Sequence, residues 1–455
     1  MPNQINFFGR LLLPIAIAGA LTVGLHLGWK HASPNEPADA VERAKSADSF
    51  IDTIGISVHG YYIDTAYGNF DGIVKPRLFE LGIRHVRDGA LTVGYNYNSP
   101  YYQHCRTLAA RGIKFNLATS IKSGWGGDTD FSMLKDVYKW CNGAVVSFEG
   151  INEPDLLPGV PDWIAATRAA QKQLYKTVKR HPALASVAVI GPSPTSIAAV
   201  TALGDLSSDL DYGNMHPYPG GRNPETPGWG GPFKCGSQQF IYGSLAYNLF
   251  CIARPLSPSK PIIATETGWN YSNQTQIRTP GKIVSRYLPR LFLYYFNQGI
   301  ARSYLYELLD LRADPNDPEA NFGLLRSDGT PKAAFVALKN LIRLLKDPGP
   351  KFQPAGVTYS LSGKTTEVQH TLLQKRNGDF YLALWLGLSA WDPGPKTEIS
   401  IPAQPLTLTL PSSGNATVYT FNDEGSVSFR IVTIKAKKVS LSVTDRVTFV
   451  KFRSR

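Results

Sequence analysis

At 455 residues the chain is too long for one ordinary core, and 43% hydrophobic against 18% charged residues excludes a disordered polymer. The formal charge of +12 bears on solubility and on attraction to acidic polysaccharides or anionic surfaces. No arginine-rich tract or recognised nucleic-acid motif accompanies it, which argues against nucleic acid as a partner.

Residues 11–29 form an apolar run behind Arg10, interrupted at His26. Two readings of residues 1–30 stay open: a signal peptide, or a membrane anchor tethering the chain through 11–29. Both imply export, whether the remainder is secreted, periplasmic or held outside the cytoplasm at a membrane. Residues 31–50 are polar and read as a linker.

Strand-like runs then begin at 54, 83, 114 and 145, spaced 29, 31 and 31 residues apart, with helix-like stretches at 75–81, 101–111 and 130–140 between them. A strand plus a helix in about thirty residues is the βα unit. Four further runs, at 187–191, 211–216, 261–266 and 302–307, bring the strands to eight. Each is apolar nearly throughout, as strands buried on both faces must be. The expected fold is therefore α/β, a (β/α)8 TIM barrel over 51–346 closed by a helix at 332–346. No glycine-rich dinucleotide fingerprint follows an early strand, so a doubly wound sheet lacks support. Asp347-Pro348-Gly349-Pro350 breaks the last helix, and short alternating strands separated by Asn-Gly, Asp-Pro-Gly and Ser-Gly turns follow. They predict a C-terminal all-β sandwich over 351–455.

Four cysteines lack the spacing of a zinc site. In an exported chain Cys235 and Cys251 are expected to close a short disulfide loop. Cys105 and Cys141 fall on neighbouring helices, as a second bridge or as buried free thiols.

The chemistry gathers at strand ends. The fourth strand runs into Asn152-Glu153-Pro154, and proline cannot continue a central ladder, so Glu153 is left at the strand's mouth. The seventh strand ends in Glu266 before Gly268-Trp269. In a TIM barrel both glutamates belong to the C-terminal mouth, where active sites form. Two facing carboxyl groups are the equipment for breaking a glycosidic bond, one as nucleophile and one as acid then base. The alternative for Glu153 alone is a structural acid capping the following helix, the lesser reading for an isolated strand-end acid, and the pairing with Glu266 lowers it further.

Arg87, ending the second strand, would hold the nucleophile ionised. His216 and Tyr218 after the sixth strand would donate hydrogen bonds to a glutamate or a sugar. Asn152 would meet a sugar hydroxyl, and Glu307 ends the eighth strand among expected substrate contacts. Trp125 and Trp269 are expected to stack on sugar faces, with Trp229, Tyr61 and Tyr62 as further aromatic candidates. Glu149 is expected buried and paired. His59 lacks the His-x-His partner of metal-dependent barrels and His85 reads as a core histidine, so neither metal nor cofactor is expected.

With these residues in place, the chain resembles clan A of the retaining glycoside hydrolases. The resemblance rests on Asn152-Glu153-Pro154, on residues 265–269 (TETGW), on Arg87 and on His216-Pro217-Tyr218. The sandwich and residues 322–338 (FGLLRSDGTPKAAFVAL) are similar to family 39, the β-xylosidase and α-L-iduronidase family, while the barrel alone also resembles the cellulase-like family 5. Ile151 replaces a tryptophan usual in family 39, and no strand-eight tryptophan stands near Tyr306. The resemblance implies a retaining glycosidase acting on an oligo- or polysaccharide, with Glu153 as acid/base and Glu266 as nucleophile. Two rival expectations are a transglycosylase using the same site and a non-catalytic carbohydrate-binding protein of the cell surface.

Overall fold

The computed structural model describes residues 41–121, 129–157, 159–273 and 278–454. The N-terminal apolar run and Trp125 lie outside the described residues. Eight parallel strands make one sheet: β1 (Ile54–Ser57), β2 (His85–Gly89), β3 (Lys114–Ala118), β4 (Val145–Glu149), β5 (Ala188–Ile190), β6 (Gly213–Met215), β7 (Ile262–Thr267) and β8 (Arg302–Leu305). Their order is β5-β4-β3-β2-β1-β8-β7-β6, so β1 pairs with β8. The remaining seam is bridged by Ile190 against Tyr212. This is the nearly closed barrel that the thirty-residue spacing predicts.

The strands are buried almost without exception, since helices cover them outside and side chains fill the interior. The helix Lys75–Leu81 stops at Gly82, whose φ of 74° is a conformation that glycine adopts freely. Asp162 caps the long helix Trp163–Arg180 by accepting from the Ala165 amide. The final barrel helix, Ala333–Leu345, buries one stripe that includes Phe335, Leu338 and Ile342.

Beyond residue 350 a six-stranded and a three-stranded sheet enclose a second core that includes Leu382, Leu384, Leu408, Val418 and Val450. Part of the expected linker belongs to this unit. Val41–Arg43 pairs antiparallel with Gly356–Thr358, and Lys45–Ser46 pairs with Leu373 and Gln374. Residues 41–46 are therefore sheet, because the sandwich offers them open edges with backbone groups to satisfy.

Cys235 and Cys251 form a disulfide with Cα atoms 5.4 Å apart. The second bridge does not form: Cys105 and Cys141 are free and buried. They pack as small apolar groups in the barrel core, and burial pushes the Cys105 thiol well up, with Cys141 beside it adding to the effect. Among the described residues no helix is long and apolar enough to cross a membrane.

Candidate active site

Arg87 in the middle of β2 organises the mouth. Its Nε and Nη2 donate to the two oxygens of Glu149, each at 2.8 Å, in the two-pronged geometry that a guanidinium favours. Its Nη1 donates to Glu266 Oε1 at 2.7 Å, and Nη2 also reaches Asn152 Oδ1 at 2.7 Å. Glu149 is fully buried and takes further bonds from Asn116, Asn214 and Thr265. One cation thus serves two carboxylates, one sealed beneath the site and one at its surface.

Glu266 is 8% exposed, and Tyr218 donates its hydroxyl proton to Oε2 at 2.8 Å. Burial works against ionisation here. The charges of His216 and Arg87, with the Tyr218 and Arg87 hydrogen bonds, outweigh it and hold the Glu266 carboxyl below the usual glutamate range. Tyr218 is held in turn by its neighbour: the Pro217 carbonyl accepts from Thr267 Oγ1 at 2.9 Å and from the Tyr295 hydroxyl at 3.0 Å.

Glu153 behaves oppositely. Burial, augmented by the negative charge of Glu266, pushes its carboxyl up, although His216 pulls the other way. Its backbone sits at φ 42°, a left-handed conformation that costs a non-glycine residue about 1–3 kcal/mol. Pro154 immediately behind it and the Ser193 hydroxyl, which accepts the Glu153 amide at 3.2 Å, hold it there.

The proton inventory around His216 follows from its partners. Thr265 has one hydroxyl proton, and two of its neighbours, Glu149 Oε1 at 3.0 Å and Asn214 Oδ1 at 2.7 Å, only accept. Its oxygen therefore receives the Nε2 proton of His216 at 3.0 Å. The other ring nitrogen, Nδ1, meets Glu153 Oε1 at 2.9 Å, a contact that requires one proton between the two atoms. The Glu153–His216 pair carries a proton, and Glu266 beside it is anionic. One oxygen or nitrogen from each of Glu153, His216 and Glu266 lies within 4.8 Å of the others.

These three are also the described residues with ligand atoms close enough to share an ion. The adjoining Arg87 supplies a positive charge where such an ion would put one.

Arg87, Asn152, Glu153, His216, Tyr218 and Glu266 thus converge as the strand-end pattern predicts. Two expected substrate contacts do not join them. Trp269 is 2% exposed, packs against Tyr287, and donates its indole proton to the Arg222 carbonyl at 2.8 Å. It holds the loop after β6 instead of presenting a face to ligand. Glu307 is fully buried and accepts from the Tyr67 hydroxyl at 2.9 Å, with His59 Nε2 at 3.3 Å. Burial pushes its carboxyl well up, and it lies just past the C-terminal end of β8. His59 above it, stacked on Tyr62 with centroids 4.6 Å apart, is kept neutral by burial, its pKa lowered to about 4. His85 is a core histidine bonded to Asp52.

Three site residues, Asn116, Asn214 and Glu319, went unread in the sequence. Asn116 and Asn214 are polar letters inside strands, and that interruption was the available signal. Glu319 lies in the loop after β8, half-buried, its pKa pushed up to about 7 by burial and by the negative charges of Asp317, Glu153 and Glu266.

No described protein family matches the chain by its family model, and no curated protein matches it by sequence. Solved structures do share its fold. A family 39 glycoside hydrolase from Bacteroides cellulosilyticus WH2 is similar over 89% of this chain and 82% of its own, with TM-score 0.51 and 16% identity. A glucosidase from Croceicoccus marinus is similar over 93% of this chain and 98% of its own, with TM-score 0.53 and 12% identity. CelM2, a bifunctional glucanase-xylanase from a metagenome library, has the same coverage of 93% and 98%, TM-score 0.53 and 11% identity. The barrel with its β-sandwich is thus a fold that this chain shares with these three solved structures.

Proposed function

We propose that this chain is a retaining glycoside hydrolase that cleaves β-linked oligo- or polysaccharides by double displacement. The observation that carries the proposal is the approach of Glu153 and Glu266 to within 4.8 Å, with their acidities driven in opposite directions. Retaining enzymes hold their carboxyl groups about 5–5.5 Å apart, whereas inverting enzymes leave about 6.5–9.5 Å for a water.

Glu153 delivers its proton to the glycosidic oxygen as Glu266 attacks the anomeric carbon. The leaving group departs as an alcohol, and an ester joins the sugar to Glu266. Glu153, now a carboxylate, takes a proton from water, which attacks the same carbon and restores Glu266. Arg87 and Tyr218 stabilise the Glu266 carboxylate both before attack and as it departs. Asn152, fixed by Arg87, faces the hydroxyl next to the reacting carbon.

Export belongs to the same reading. It is supported by the apolar run at 11–29 and by the Cys235–Cys251 disulfide, a bond that persists in oxidising compartments.

Glu266→Gln is expected to lower kcat by at least 10,000-fold with an unchanged far-UV spectrum and melting temperature. The anomer released first by the wild type, followed by proton NMR, is expected to match that of the substrate. Inversion at that carbon, or near-wild-type turnover by Glu266→Gln, defeats the assignment.

A further inference from the structure

We propose that Trp229 is a distal sugar-binding platform, so that the substrate is a chain long enough to span from Glu266 to this indole. The inference rests on the glycosidase reading of the site and extends it to substrate length. The segment between β6 and β7 carries His216 and Tyr218 at its start and then folds a hairpin, Pro232–Cys235 against Gln238–Ile241. Trp229 leads into this hairpin, with its amide bonded to the Tyr242 carbonyl at 2.9 Å.

Trp229 is 39% exposed, a large fraction for an aromatic side chain beside a candidate cleft. The ring is also held in a built seat. Gly220 and Gly243 pack against its pyrrole ring, and a Cβ at either position would overlap the indole. Tyr242 meets it edge-on at 4.8 Å, and the Arg222 guanidinium stands 5.8 Å from the ring centroid. The Cys235–Cys251 disulfide ties the hairpin to the segment behind it. An aromatic fixed before ligand arrives loses little freedom on binding, which is what makes such a side chain an effective anchor.

The chain itself sets the distance to the chemistry. Gly220, which touches the indole, is two residues from Tyr218, whose hydroxyl is 2.8 Å from Glu266. Two residues of extended backbone reach about 7 Å and the tyrosine side chain adds roughly as much again, which bounds the path from Glu266 to the indole at about 20 Å. The indole is therefore within the span of a short oligosaccharide that has one ring at Glu266. The flat apolar face of a pyranose, with its hydroxyls directed outward, suits an indole whose other neighbours are a tyrosine edge and a guanidinium.

The test uses the full chain on 4-nitrophenyl β-glycosides and on β-1,4-linked gluco- and xylo-oligosaccharides of two to six units. The wild type is expected to gain kcat/KM with length. Trp229→Ala is expected to lose at least tenfold on the longest substrate accepted, mainly in KM, with a loss that shrinks as the substrate shortens. Trp229→Phe is expected to recover part of it. The Glu266→Gln chain, titrated calorimetrically with the six-unit sugars, is expected to bind at least tenfold more weakly once Trp229→Ala is added, which reads the platform without turnover. No length dependence in the wild type, a dependence that Trp229→Ala leaves intact, or an equal loss on every substrate overturns the inference. Full turnover by Glu266→Gln alongside intact Trp229 length dependence would instead defeat the catalytic assignment alone.

Discussion

At the scale of single residues, the site works by opposing two carboxyl groups that are otherwise alike. Glu266 is buried and Glu153 largely so, and loss of solvent alone would push both toward the neutral form. Arg87 and Tyr218 bond Glu266 and favour its charge, while Glu153 has His216 and a shared proton. Activity should therefore rise with pH as Glu266 ionises and fall as the Glu153–His216 pair loses its proton. Tyr218→Phe removes a donor whose bond is stronger to the ionised form, so the Glu266 pKa must increase. One such hydrogen bond is worth about 1 kcal/mol, or about 0.7 of a pH unit. The acidic limb of kcat/KM against pH is expected to move upward by about that amount while the basic limb stays in place. A downward move, or a displacement of both limbs together, would show that Tyr218 does not act through the Glu266 carboxylate.

At the scale of elements, function depends on how firmly the loop after β6 is held. The disulfide closes a separation of 16 residues, and a loop of that size gains about 3 kcal/mol from its cross-link. Cys251→Ser is expected to speed amide exchange across residues 232–241 while leaving that of β7 unchanged. Equal exchange in both proteins would mean that packing alone fixes the hairpin. The same contrast between short- and long-range constraint explains what could be read in the sequence. Eight apolar runs spaced by helices declare a barrel, and a carboxylate followed by proline or glycine declares a strand mouth. Trp269 and Glu307 share those neighbourhoods, but spacing does not say to which side of a turn a side chain falls. Both turn inward, toward the Arg222 carbonyl and the Tyr67 hydroxyl. The strand Gln404–Thr409 is obscured by Pro405, which lacks the amide that a ladder needs. Residues 41–46 look like linker because their strand partners lie at 356–358 and 373–374.

At the scale of the whole molecule, barrel, loop and sandwich meet at one buried ion pair. Arg290, fully buried on the helix Gly281–Asn297, pairs with Glu225 from the loop after β6. Glu225 also accepts from the Trp385 indole at 2.7 Å, and Arg290 donates to the sandwich carbonyls of Leu388 at 3.0 Å and Asp445 at 3.3 Å. Asn223 adds a bond to the Gly387 carbonyl at 2.9 Å. Nearby, Arg286 of the same helix pairs with Asp423 and Glu398. The sandwich therefore grips the segment that continues from Tyr218, and under the proposed function it would serve to keep that segment still. Glu225→Ala strands the Arg290 charge without its carboxylate, and breaking a buried pair in this way costs about 3–5 kcal/mol. Because the lost contacts join two cores, the expected calorimetric result is a lower first transition that separates from a second, where the wild type shows one. In the folded variant kcat/KM is expected to fall, since Tyr218 and His216 are carried by the segment that has loosened. A single transition at the wild-type temperature with full activity would mean that the two cores hold together without this pair, and that the sandwich is a passenger on the barrel.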